Sequence, residues 1–202
     1  MACRYGNLHE TSNSQRPTPK VRLKPDTTSV TMPENEQREI TRPSQLWKQL
    51  TPERRQQSAE AFWKDNNASA EHAEAIVTIA QRIKFRPKSV IALPVEKKAR
   101  HLVAVGAVSE LVAARLLVAY HLAHQRPMMA AFLDALGVAH EEGLIKDEEM
   151  KAPPAERLGQ AVNAVNAKFP ADDVALYLTT LWWQDPETWG GLEDLIPVKA
   201  EG

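Results

Sequence analysis

The residues best suited by type and spacing to do chemistry are Glu110, His121 and His124, in the stretch SELVAARLLVAYHLAH from Ser109 to His124. Read as a helix at about 100° per residue, all three fall within a sector of roughly 60°. His121 and His124 are three apart, so both imidazoles can turn the same way and share a metal ion. His140, Asp134 or Glu142 from the next element could complete the set. Glu110 cannot join them, because eleven residues at the helical rise put it about 16 Å from His121. Two familiar metal patterns are missing. No histidine has a Glu three residues before it, as a di-iron bundle would require, and His-Glu-x-x-His does not occur. The expectation is no bound metal and no cofactor, with Glu110, His121 and His124 as the solvated edge of a mostly buried helix.

Other chemistries have less to build on. The chain has no G-x-S-x-G elbow, and its one cysteine, Cys3, lies far from the helical part. Its eight glycines form neither GxGxxG nor a phosphate loop. No catalytic residue is assigned, and the reading leans away from an enzyme. Arg115 projects into the apolar side of the Ser109–His124 helix, as the buried half of an ion pair with an acid such as Asp134 or with its head drawn to the edge. Met128 and Met129 read as core filler.

The strongest local charge is basic. Arg82, Lys84, Arg86, Lys88, Lys97, Lys98 and Arg100 give seven cations in nineteen residues against one acid, Glu96, with Phe85 among them. Such a patch could hold phosphates. The helices expected over Pro94–Val105 and Ser109–His124, joined near Gly106, have the outline of a helix-turn-helix. The start of the second helix argues against it. A major-groove surface made of Ser109, Glu110, Ala113 and Ala114 has no guanidinium for a base edge and turns an acid toward phosphate.

The elements that must position these residues are helical. Thr51-Pro52-Glu53 supplies an N-cap hydroxyl, a proline at the first helical position and an acid in the first turn, which predicts a helix over 52–65 after a short one at 44–50. Ala73, Ile76, Ala80 and Ile83 predict a helix over 70–85 that Pro87 stops. Further helices are expected over 94–105, 109–124 and from Arg126-Pro127 to Gly137. Gly143 and Pro153-Pro154 mark a loose connection. Leu158, Val162, Val165 and Phe169 then form one stripe, Pro170 restarts a helix to about Trp183, and Asp185-Pro186-Glu187 caps a last short one. Because the 109–124 segment is apolar around most of its girth, it must be surrounded by other helices. No Asn-Gly or Asp-Gly turn joins alternating strands. The expected fold is all-α, an irregular orthogonal bundle of seven or eight helices. Trp47 and Trp63 near its front and Trp182, Trp183 and Trp189 near its end suggest that the two ends pack together, with a polar contact for each indole.

Residues 1–31 differ sharply, with five basic and two acidic side chains, three prolines and no apolar period. The domain boundaries expected are a disordered tail over 1–43 and one helical domain over 44–202. Val21–Thr28, VRLKPDTT, resembles translated non-coding repeats of some bacterial genomes, which implies a true start at Met32. Net charge is −1 for the whole chain, so no global field draws it to nucleic acid or an anionic membrane. The absence of an N-terminal apolar segment and of a cysteine pair fits the cytoplasm and no membrane. The function expected is a small protein–protein interaction, adaptor or regulatory module, bound to a protein partner or to itself. A nucleic-acid-binding protein using residues 82–100 is the second reading. A helical metalloprotein or enzyme centred on His121 and His124 is the third.

Overall fold

Proline marks helix starts in this chain more often than helix ends, since its missing N–H would have no intrahelical partner in the first turn. The computed structural model describes residues 40–146 and 150–196. Among them the helices are α1 (Pro43–Gln49), α2 (Pro52–Lys64), α3 (Ser69–Ile83), α4 (Pro87–Ile91), α5 (Val95–Val105), α6 (Glu110–His124), α7 (Arg126–Leu136), α8 (Ala155–Asn166), α9 (Ala171–Gln184) and α10 (Pro186–Trp189), followed by one 3-10 turn at Gly190–Leu192. The fold is all-α, as expected. Ten helices replace the expected seven or eight, partly because Pro87 opens α4 as well as following the end of α3. The tail to residue 39, the Met32 start and part of the 144–154 connection lie outside the described residues.

Capping is local and readable. The Thr51 and Ser109 hydroxyls accept from Arg54 N and Val112 N at the heads of α2 and α6. Gly106 and Gly137 end α5 and α7 with φ of 78° and 72°, a left-handed cap that a missing Cβ makes cheap.

The core has two clusters joined by α6. The front cluster gathers Trp47, Phe62, Ile79 and Leu102 with Val112, Leu116, Leu117 and Tyr120 of α6. The rear cluster gathers Met128, Phe132 and Leu133 with Leu158, Val165, Leu178 and Trp189, and Leu122 of α6 packs against it. α6 therefore is the central helix, touching α1, α2, α3, α7 and α9. In α3 the buried stripe is Ala75, Ile79 and Ala80; Ala73 faces solvent instead. The two ends of the domain do meet. Trp183 Nε1 donates to Thr41 O at 3.0 Å, and Arg54 of α2 pairs with Asp173 of α9 at 2.6 Å. Not every indole is satisfied: Trp47, Trp63 and Trp182 have no acceptor among the described residues.

Among the described residues the strands are those of one hairpin, β1 (His140–Glu141) and β2 (Leu144–Ile145), antiparallel, with His140 opposite Ile145 and Glu141 opposite Leu144. Glu142 and Gly143 form its two-residue turn, with φ of 49° and 84°. Positive φ at both positions is the type I′ geometry that matches strand twist. Gly143 is also pressed onto α7: a Cβ there would lie 2.7 Å from Met129 Cβ.

Candidate functional site

The Glu/His stripe of α6 does not form one edge. Glu110 stays at the surface and accepts from Ser44 N at 3.0 Å and from Ser44 Oγ at 2.7 Å. It thus serves the exposed N–H groups at the head of α1. His124 is exposed, with its ring 5.4 Å from that of Tyr120. His121 is only 2% exposed, which corrects the expectation of a solvated edge. A 15-residue helix is about 22 Å long, and its two ends meet different neighbours even at the same angular position. The Glu110 end meets α1 and solvent; the His121 end meets α9.

The hydrogen bonds around His121 fix its tautomer. Thr180 Oγ1 donates to Leu176 O at 2.7 Å, so toward His121 Nε2, 3.2 Å away, it can only accept. Nε2 therefore carries the proton and Nδ1 is a bare lone pair, buried and without a partner among the described residues. Burial pushes the imidazole pKa down from 6.5 to about 3, so the ring is neutral at ordinary pH. An unmet buried acceptor costs about 1–3 kcal/mol.

His121 lines a pocket of about 170 Å³ between α6, α7, α9 and the hairpin. Val118, Leu122, Met129, Leu133 and Leu181 make its apolar walls, Leu144 and Ile145 of β2 cover one side, and Tyr177, Thr180 and Gln184 of α9 are its other polar members. Burial raises the Tyr177 hydroxyl well above the usual phenol range, so it too stays neutral. Sequence reasoning missed these α9 residues. Their spacing at i, i+3 and i+7 on a mostly apolar helix was the available signal.

The other proposed ligands are placed elsewhere. His140 Nδ1 accepts from Gly143 N at 3.2 Å, and its Nε2 faces Asp134 Oδ1 at 3.1 Å. It pins the hairpin to α7, a job shared by Arg126, which contacts Glu142 at 3.3 Å. Among the described residues no three His, Cys, Asp or Glu side chains are grouped to hold a metal ion. Arg115 pairs with Asp65 at 2.7 Å, not with Asp134, because its face of α6 looks toward α2 and the residues that follow it. Met128 and Met129 are buried in the rear cluster.

The basic residues lie on α3, α4, α5 and the turns at their ends. Arg82, Lys84, Arg86, Lys88, Lys97 and Arg100 are exposed, whereas Lys98 is half-buried with its Nζ 4.9 Å from the Trp63 ring centre. Lys84 ends α3 in the left-handed region at φ 55°, and the chain turns there to present Phe85, 53% exposed. Phe85, Leu93, Lys97, Arg100 and His101 line one open depression. Ile91, in α4, is 57% exposed. α5 rests chiefly on α2 and α3 rather than forming a pair with α6, so the helix-turn-helix outline has no packed counterpart. No helix of the described residues is long and apolar enough to cross a membrane. Compared with family models, curated proteins and solved structures, the chain matches none.

Proposed function

We propose that this protein is an interaction module without catalysis, holding an acidic protein segment that carries an apolar anchor against the α3–α4–α5 face. The observation that carries this reading is Phe85, more than half exposed in a depression shared with Lys97, Arg100 and His101. Aromatic and arginine side chains are the groups that contribute most when a protein surface is covered. The surrounding cations would speed and orient the approach of an acidic partner. The single cysteine of the chain supports placing this work in the reducing cytoplasm.

Nucleic acid is the second reading, favoured by the same aromatic amid cations. Two features weigh against it: exposed Ile91 has no use on a phosphate backbone, and Lys98 is turned onto Trp63. Selection from a displayed peptide library, with a Phe85→Ser variant as counter-selection, tests the proposal. An acidic consensus with an aromatic or aliphatic anchor is expected, bound about tenfold more weakly by Phe85→Ser. Sequence-independent retention of single-stranded DNA, lost steeply with salt, together with no peptide consensus, would replace it with the second reading.

A further inference from the structure

The pocket beside α6 belongs neither to the Phe85 face nor to its basic rim, and its chemistry is different. At about 170 Å³ it is in the size class of cavities that hold a benzene-sized guest. No Asp, Glu, Lys or Arg lines it. A carboxylate or an ammonium entering would lose its water and meet no opposite charge. The polar members are all uncharged; Thr180 and His121 Nε2 are bonded to each other, but Tyr177 and Gln184 are not used up by the protein. His121 Nδ1 is bare but sealed, whereas neither the Tyr177 hydroxyl nor the Gln184 amide has a hydrogen-bond partner among the described residues. Tyr177 is buried as a residue, whereas Gln184 is exposed. On the hairpin side, Leu144 and Ile145 are both partly exposed, so entry needs no opening of packed helices.

We propose that this pocket binds a small neutral hydroxylated molecule of the alcohol or phenol class, with its apolar body among Leu122, Met129 and Leu133 and its hydroxyl met by Tyr177. The ligand hydroxyl is both a donor and an acceptor, and the neutral Tyr177 hydroxyl can answer it in either role. Its affinity comes from apolar burial, and the selection for one hydroxyl comes from leaving Tyr177 unpaired when an apolar analogue binds.

The test is a magnetic-resonance titration of the full chain at neutral pH with phenol, cyclohexanol, toluene and benzoate. Phenol and cyclohexanol should shift the signals of His121, Tyr177 and Thr180 saturably, with benzoate at least about tenfold weaker. Tyr177→Phe should weaken phenol about fivefold and leave toluene within about twofold. Leu122→Trp, at a half-buried wall, should abolish binding of all the neutral probes by filling the space. The proposal fails if neither phenol nor cyclohexanol gives a saturable shift, if benzoate binds as well as phenol, or if the shifts centre away from the pocket. The comparison of phenol with benzoate on the unaltered chain decides the matter even if a variant does not fold.

Discussion

In the front cluster, the polar side chains that enter the core find partners: Ser58 Oγ donates to Leu116 O at 2.8 Å, His72 Nε2 to Phe62 O at 2.6 Å, and Arg115 meets Asp65. The indoles of Trp47 and Trp63 and the Nε atoms of Arg55 and Arg115 stay without a hydrogen bond among the described residues. In the rear cluster, His121 keeps a bare nitrogen, and Tyr177 and Gln184 line a gap. The difference lies in what closes each side of α6. Around the front half, α6 packs against helices α1, α2 and α3. Over the rear half, one wall is a hairpin with strands of two residues each, too short to fill the space a helix would fill. Unmet polar atoms occur on both sides, so what separates the two is space: the side closed by a short hairpin leaves room for a guest.

Acid should separate the two halves most strongly. His121 is neutral when folded, with its pKa depressed to about 3, while the unfolded imidazole titrates at 6.5. The unfolded state therefore gains a proton first as pH falls. The stability linked to this group is complete above about 6.5 and drains away down to about 3, on the order of 4–5 kcal/mol for a fully buried ring. Urea melts of His121→Gln should fall less steeply than wild type across that window, although both lose stability as carboxylates protonate. Parallel curves would show that the ring is not held neutral.

Truncation sharpens the contrast. Leu116→Ala, deep in the front cluster, should cost about 4 kcal/mol, near the upper part of the usual range. Leu133→Ala should cost closer to 2, because Leu133 already borders the pocket and has fewer neighbours to lose on that side. Equal losses in denaturant melts would mean that the rear core is as tightly filled as the front.

Much of this fold was legible because it is written in single residues. Thr51-Pro52, Ser109, Gly106 and Gly137 each set a helix end through one hydroxyl, one ring or one missing Cβ, and each end lies within a residue or two of its expected place. What was not legible depended on neighbours distant in sequence. His121 looked like part of a polar edge because angular position alone ignores where along the helix α9 crosses. Leu111, an apolar residue of the segment expected to be surrounded, is 69% exposed for the same reason, lying at the solvent end of α6. The hairpin escaped because its turn is Glu-Gly rather than the Asn-Gly or Asp-Gly that signals type I′ most strongly. Of the basic run, six members are exposed, but only the fold shows that Lys98 turns to Trp63.

The hairpin itself can be tested at its tightest point. Gly143→Ala places a methyl group against Met129 and a side chain at φ 84°, so it should cost about 2 kcal/mol through strain and displacement. Because the hairpin forms one wall of the pocket, the same change should alter hydrogen exchange at Leu144 and Ile145 while leaving that of α2 and α5 unchanged. Uniform loss of protection would place the hairpin in the shared core instead of over one half.

The smallest effect is expected at the other end of α6, where the two halves of the sequence meet through a surface carboxylate. Glu110 accepts both the backbone N–H and the hydroxyl of Ser44, and α1 has no acid in its own first turn. A carboxylate from sixty-six residues away thus does what a local capping side chain does elsewhere. Removing such a group costs about 1 kcal/mol in exposed settings. Glu110→Gln keeps the acceptor oxygen and loses the charge, so it should retain about half of that stability and lose its dependence on salt. If Glu110→Ala is neutral, the contact is too screened to matter and α1 is held by the packing of Pro43, Leu46 and Trp47. If it costs about as much as Leu116→Ala, α1 is the support on which the whole front cluster depends.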